Sequence, residues 1–161
     1  MVGALRGAVW AAVVSAVMAW PATAQNLPPP EGEMARLIWS TLLALDHANL
    51  TGNYTVLRDL ADSGFRDAND AAQLAFIFEP TRDLPLGQAV LYPPRLSETP
   101  VIGEDGLLRL TGRIPMRPRA VLFDMLFARR DAGWRIFGLS VAAEEPVPEE
   151  SGGPEEGVAG Q

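Results

Sequence analysis

The sequence predicts an α+β fold in which N-terminal helices pack on a curved antiparallel sheet. Two patterns along the chain support this prediction. Apolar residues recur at helical spacing over residues 33–78, and they alternate with polar residues at the two-residue period of a strand over residues 107–143. Because residues 33–143 contain no internal repeat and suit one domain in length, we expect a single folded unit there.

Three helices are predicted in the first half of this domain. The first covers Glu33–Leu50, and its apolar residues share one face: Met34, Leu37, Ile38, Leu42 and Leu45. A second, short helix can start at Asn53, whose side chain suits an N-terminal cap. The third begins at Asp67 or Asn69 and ends before Pro80, because proline cannot continue a helix.

Three strands are predicted in the second half, over Leu107–Met116, Arg119–Arg130 and Trp134–Ala143. A three-residue hairpin loop, Asp131–Gly133, would pair Phe127 with Phe137. For the preceding turn, a four-residue loop at Pro115–Pro118 buries leucines, whereas an odd length would bury arginines. The inner face of the sheet is then apolar throughout: Leu108, Leu110, Phe123, Met125, Phe127, Phe137, Leu139 and Val141.

The outer face of the predicted sheet carries an acid in the middle of a strand. The four-residue turn places Arg109 opposite Asp124, so we predict a cross-strand ion pair and treat a catalytic role for Asp124 as the alternative. Leu122 and Leu126 flank that acid, and a partly apolar face of this kind is often covered by another protein. We therefore predict a homodimer that packs through the outer face.

The two ends of the chain have compositions that differ from the domain. Residues 1–24 have the order of a signal peptide: a basic start, an apolar run and an Ala-Thr-Ala cleavage pattern. Residues 25–32 form a Pro-rich tether, and residues 144–161 form a disordered acidic tail. Since no second apolar run follows, we expect no membrane span after cleavage and a soluble protein exported to the periplasm.

Charge and metal-ligand content narrow the function classes. The net charge of −7 comes largely from the glutamates of the tail, so the domain itself is nearly neutral and nucleic-acid binding is not supported. One histidine, His47, and no cysteine leave no transition-metal cluster. Because no glycine loop of phosphate-binding type occurs either, no cofactor is predicted.

The order of helices and strands resembles the NTF2-like superfamily, the cone-shaped α+β fold of nuclear transport factor 2 and ketosteroid isomerase. Three segments, Thr51–Leu60, Gly64–Arg66 and Leu108–Gly112, are similar to an uncharacterised family of small exported bacterial proteins. The resemblance covers residues 34–141. It implies a ligand pocket between the concave sheet face and the helices, whereas NTF2-like domains differ widely in function.

Three polar residues are the best candidates to reach such a pocket. Helical spacing places Asp46 and Asn49 beside the apolar face of the first helix, and Tyr54 lies just beyond it. The alternative is structural, with Asp46 in water, Asn49 bound to backbone and Tyr54 packed.

We predict a non-catalytic module that binds a small apolar ligand or another protein. A pocket enzyme of isomerase or dehydratase type and a purely structural homodimer subunit are the alternatives. A cone packed shut by Phe123, Phe127 and Phe137 would count against the enzyme and the ligand-binding function together, whereas an open cavity in which Asp46 and Tyr54 converge would favour the enzyme.

Two arginines near the end of the hairpin are a further feature. The predicted register brings Arg129 and Arg135 together on the inner side. Like charges repel there unless water or an anion separates them. They are either solvated strand ends or a contact for an acidic ligand or the chain's own acidic tail.

Overall fold

A computed structural model describes residues 27–144 of the chain. The predicted signal peptide, the start of the tether and the acidic tail beyond residue 144 lie outside the described residues. Within residues 27–144 there are four α-helices, α1 (Glu31–Thr51), α2 (Thr55–Asp59), α3 (Ser63–Ala68) and α4 (Ala71–Ile77). Two 3₁₀ helices follow, at Glu79–Thr81 and Leu86–Leu91. The strands are β1 (Arg95–Leu96), β2 (Val101–Ile102), β3 (Leu107–Ile114), β4 (Val121–Arg130) and β5 (Gly133–Ala143).

The helices pack against a curved, unclosed antiparallel sheet, so the predicted α+β class is confirmed. The strand order is β1-β3-β4-β5, and β2 pairs with the same edge of β3 as β1 does. One apolar cluster joins α1 to the inner face of the sheet. Burial of this shared cluster is the main force that holds the two layers together.

The first helix starts two residues earlier than predicted, at Glu31, so the end of the predicted tether is helical. Pro30 supplies the extended residue before it, and Glu31 and Glu33 place negative charge in the first turn, which complements the helix dipole. Gly52 ends the helix in the left-handed conformation, with φ of 68°, which glycine adopts without steric cost.

One helix in the structure was not predicted. The side chain of Asp62 accepts a hydrogen bond from Gly64 N and thereby caps α3. Asp70, rather than Asp67 or Asn69, caps α4 through Gln73 N. The predicted third helix is therefore wrong at its start, because two capping aspartates divide this stretch into separate short helices.

The connection between β3 and β4 is two residues longer than predicted. Ile114 pairs with Val121, so the loop comprises residues 115–120. A change of two residues keeps every side chain on its face, because the side-chain period of a strand is two. Leu108 and Leu110 are accordingly buried on the inner face, as expected.

The β4–β5 hairpin has a shorter loop than predicted and an irregularity that changes one inner-face residue. Arg130 pairs with Gly133, and farther along Met125 pairs with Leu139 as expected. Between these points β5 contains a β-bulge, so that Ile136 rather than Phe137 lies opposite Phe127. The predicted Phe127–Phe137 pair is therefore wrong.

The bulge lies where β5 meets the link between α2 and α3. Ala61 forms a parallel bridge with Ile136, and Asp62 N donates to Ile136 O at 2.7 Å. Phe137 is 39% exposed, and its ring lies close to Gly64 in the first turn of α3. The link therefore binds the backbone of β5 at the position where the strand departs from a regular register.

Candidate functional site

The structure brings two of the three candidate polar residues together. Tyr54 Oη donates a hydrogen bond to Asn49 Oδ1 at 2.7 Å. Asn49 Nδ2 in turn donates to Thr81 O at 3.2 Å and to Thr81 Oγ1 at 3.1 Å. Tyr54 is almost fully buried. This polar network joins the end of α1, the start of α2 and the 3₁₀ helix Glu79–Thr81.

The groups of this network bond to one another rather than to a pocket. Thr81 is also buried, and its hydroxyl donates to Phe78 O at 2.7 Å. The phenol of Tyr54 and both polar atoms of the Asn49 side chain have partners inside the protein. A neutral amide is not a general base, so this arrangement stabilises the fold and supplies no proton acceptor.

Asp46 lies apart from that network and binds a different segment. Its Oδ1 accepts a hydrogen bond from Gly87 N at 2.9 Å. A Cβ on Gly87 would lie 2.9 Å from Asp46 Oδ2, so the carboxylate rests directly on the backbone there. Asp46 thus anchors the start of the 3₁₀ helix Leu86–Leu91. Its neighbour His47 is exposed.

The residues predicted to line a pocket in the cone are mostly core residues. Five of them are almost fully buried within the apolar cluster: Leu108, Leu110, Phe123, Met125 and Phe127. Leu139 packs at the edge of that cluster, and Phe137 is displaced by the bulge. Neither these seven residues nor Val141, the eighth residue of the predicted inner face, lines the apolar groove beside α1 or the polar recess beside the β4–β5 hairpin.

The outer face carries the Arg109–Asp124 ion pair, with a geometry that differs from the predicted one. Arg109 Nη2 lies 2.6 Å from Asp124 Oδ2, and Arg109 Nε donates to Oδ1 at 3.0 Å. Thr111, not Arg109, is the residue directly opposite Asp124, and its hydroxyl donates to Oδ1 at 3.1 Å. The predicted register is therefore wrong by two residues, and the ion pair runs diagonally across β3 and β4.

These bonds favour the charged form of Asp124. The hydrogen bond from Arg109, followed by that from Thr111, holds the pKa of Asp124 below its usual value despite partial burial. The same carboxylate raises the pKa of the Arg109 guanidinium. An acid with both oxygens engaged in this way is a poor candidate for proton transfer.

An apolar groove opens between the first half of α1 and residues 93–96. Its volume is about 320 Å³, and its lining is mainly apolar: Met34, Ala35, Ile38, Trp39, Pro93, Pro94 and Leu96, with Glu31 and Gly32 at one end. Trp39 Nε1 donates a hydrogen bond to Tyr92 O at 3.2 Å. This bond holds the adjoining residues 93–96 against α1. The sequence did not predict this groove, because no helix or strand was assigned to the Pro-rich residues 80–100 that form one of its walls.

A second, polar recess lies beside the tip of the β4–β5 hairpin. One wall contains an ion pair between Arg130 Nε and Asp62 Oδ2, which are 2.7 Å apart. That bond, together with the one from Gly64 N, lowers the pKa of Asp62. The predicted meeting of Arg129 with Arg135 is wrong. Arg129 lies opposite Trp134, and its guanidinium is 5.6 Å from the centroid of that ring.

Comparisons of the chain with protein-family models, with curated proteins and with solved structures found no match. The likeness to NTF2-like proteins therefore stays a prediction. Among residues 27–144, no helix is long and apolar enough to cross a membrane. Over the same residues, no three acidic or histidine side chains are grouped as ligands for a metal ion.

Proposed function

We propose that this protein is an exported, non-catalytic binding domain of the NTF2-like type that holds a small apolar ligand. The observation that carries the proposal is the contrast between the open apolar groove beside α1 and the polar candidates, which are engaged in internal hydrogen bonds. The proposed ligand site is the groove between α1 and residues 93–96, to which no residue of β3, β4 or β5 contributes.

The chemistry of the groove favours an apolar ligand. Met34 and Trp39 offer a flexible thioether and an aromatic surface, and Pro93 and Pro94 have no backbone N–H to bond a polar ligand. Since the indole N–H of Trp39 already binds Tyr92 O, it is not free to recognise a polar group. A volume of about 320 Å³ is at the lower end of the range for small-molecule pockets, roughly 300–1,000 Å³.

The enzyme alternative has less support from the geometry. A base in the cone would have to be Asp46, whose carboxylate is bound to Gly87 N, while Tyr54 belongs to a separate network. Catalysis by this pair would require both groups to exchange their present partners and converge.

Binding in the groove can be tested by fluorescence on the chain without residues 1–24. In a Trp134→Phe background the emission comes from Trp39 alone. Titration with N-phenyl-1-naphthylamine, a neutral apolar dye, is expected to quench this emission and to saturate. Ala35→Phe should fill the groove and abolish the response, whereas Ala72→Phe, at an exposed position on α4, should leave it unchanged. Equal binding by both variants, or no saturable binding, would refute this site.

A homodimer through the outer sheet face is the second candidate. Val101 and Leu122 are exposed there, near an ion pair that carries both signs of charge. A surface with both signs can complement its own copy across a two-fold axis. Sedimentation at tens of micromolar tests this, with Leu122→Arg expected to give monomer and Leu50→Arg, on exposed α1 surface, expected to have no effect. A wild-type protein that is monomeric would remove the proposal.

Export rests on residues 1–24 of the sequence. Expression of the full chain in a bacterial host should yield a periplasmic product that begins at Gln25, as determined by intact mass. A full-length product in the cytoplasm would contradict export, without bearing on the groove.

A further inference from the structure

The polar recess is built from two segments that are distant in the sequence. It has a volume of about 410 Å³ and lies between residues 59–66 and residues 130–135. The backbone bond from Asp62 N to Ile136 O holds these segments side by side. The recess is therefore set by the tertiary structure rather than by one loop.

One ion pair in the recess has a structural role. Asp62 binds Arg130 through Oδ2 and Gly64 N through Oδ1, and its side chain is only 6% exposed. Because both of its oxygens are engaged, Asp62 is not available to a ligand. The pair anchors the hairpin to the link between α2 and α3.

Four other charged residues line the same recess, and they form no ion pairs with any residue of 27–144: Asp59, Arg66, Asp131 and Arg135. Arg66 Nη1 donates to Ala61 O at 2.8 Å, which orients that guanidinium. Arg135 Nη1 reaches Asp59 O only at 3.5 Å. Since a guanidinium has five N–H donors, both arginines keep donors for a ligand.

The balance of charges indicates the kind of ligand. A simple anion would be attracted by the two arginines and repelled by Asp59 and Asp131. A simple cation would be attracted by the two aspartates and repelled by the two arginines. A molecule with both charges can satisfy all four groups. We propose that this recess binds a small zwitterion, with its carboxylate at Arg66 and Arg135 and its ammonium group at Asp59 and Asp131.

This site is independent of the apolar groove, so the two can be tested separately. A titration of the ¹⁵N-labelled chain with diglycine, followed by NMR, should shift amides of residues 59–66 and 130–135 in a saturable way. N-acetylglycine lacks the ammonium group and glycinamide lacks the carboxylate. We expect both to bind at least roughly tenfold more weakly, as expected for loss of charge-assisted hydrogen bonds.

Variants test the two halves of the site. Arg135→Gln and Asp131→Asn are each expected to weaken diglycine binding roughly tenfold, whereas Arg117→Gln, in the exposed loop before β4, should have no effect. Thermal unfolding of each variant shows whether the domain remains folded. Equal binding of diglycine and N-acetylglycine would overturn the zwitterion site in favour of an anion site, and no saturable shift in the recess would overturn it altogether.

Discussion

The interior between the helices and the sheet differs sharply from the outer face of the same sheet. Adjacent positions on β3 and β4 illustrate this: Leu110 and Met125 form a buried pair inside, whereas Thr111 and Asp124 form a half-exposed polar pair outside. Packing inside excludes water, while the outer ion pair remains in contact with it. We infer that the interior determines stability and that the outer face and the recesses are available for binding.

The largest expected effect is loss of an aromatic side chain from the interior. Phe127→Ala should lower the free energy of unfolding by about 3–5 kcal/mol, because it removes a fully buried ring and leaves a cavity. Leu122→Ala, on the outer face, should cost less than about 1 kcal/mol since that side chain is partly exposed. Urea denaturation measures both. A similar loss of unfolding free energy in both variants would contradict the inference that the interior, and not the outer face, determines stability.

A smaller loss is expected from the buried polar network. Tyr54→Phe removes the donor to Asn49 Oδ1 and leaves that oxygen without its partner, at a cost of about 1–3 kcal/mol. Tyr92→Phe is a matched control, because Tyr92 is only half-buried and its hydroxyl forms no hydrogen bond with any residue of 27–144. If the two variants unfold at the same urea concentration, the network does not contribute to stability.

Acid should destabilise the protein through two aspartates. The pKa values of Asp62 and Asp124 are lowered in the folded state, so their stabilisation is present above the unfolded pKa, near 3.8, and is lost as the pH falls through the folded values. Asp62→Asn should flatten this acid dependence more than Asp124→Asn, because the Asp62 side chain is 6% exposed and that of Asp124 is 37% exposed. Thermal unfolding between pH 2 and 6 measures it. A flatter acid dependence in Asp124→Asn than in Asp62→Asn would contradict the larger contribution that we assign to Asp62.

The smallest effect is expected at the outer ion pair at neutral pH. Asp124→Asn should lower the free energy of unfolding by less than about 1 kcal/mol, because a half-exposed pair is screened by water and salt. Added salt should reduce the difference from wild type further. A larger, salt-insensitive loss would mean that the outer face is covered in solution, as in the proposed homodimer.

The sequence predicted most of the secondary structure and the Arg109–Asp124 ion pair, but not the partners of the polar residues Asp46 and Asn49. Helical spacing placed Asp46 and Asn49 near each other on α1, and both do point toward other segments. Their partners, Gly87 and Thr81, belong to the Pro-rich residues 80–100 after α4. The apolar residues there follow neither a helical nor a strand period, so they predict no structure. The apolar groove was missed for the same reason.

The sequence alone determined which residues of β3 and β4 face the interior, because alternation survives any even error in loop length. The connection proved two residues longer, yet Leu108 and Leu110 remained buried. In β5 the tertiary structure decided the outcome. The backbone of the α2–α3 link binds Ile136 where the bulge lies, and that shift of one residue moves Phe137 out of its predicted place. Such a contact between distant backbones leaves no periodic signal in the sequence.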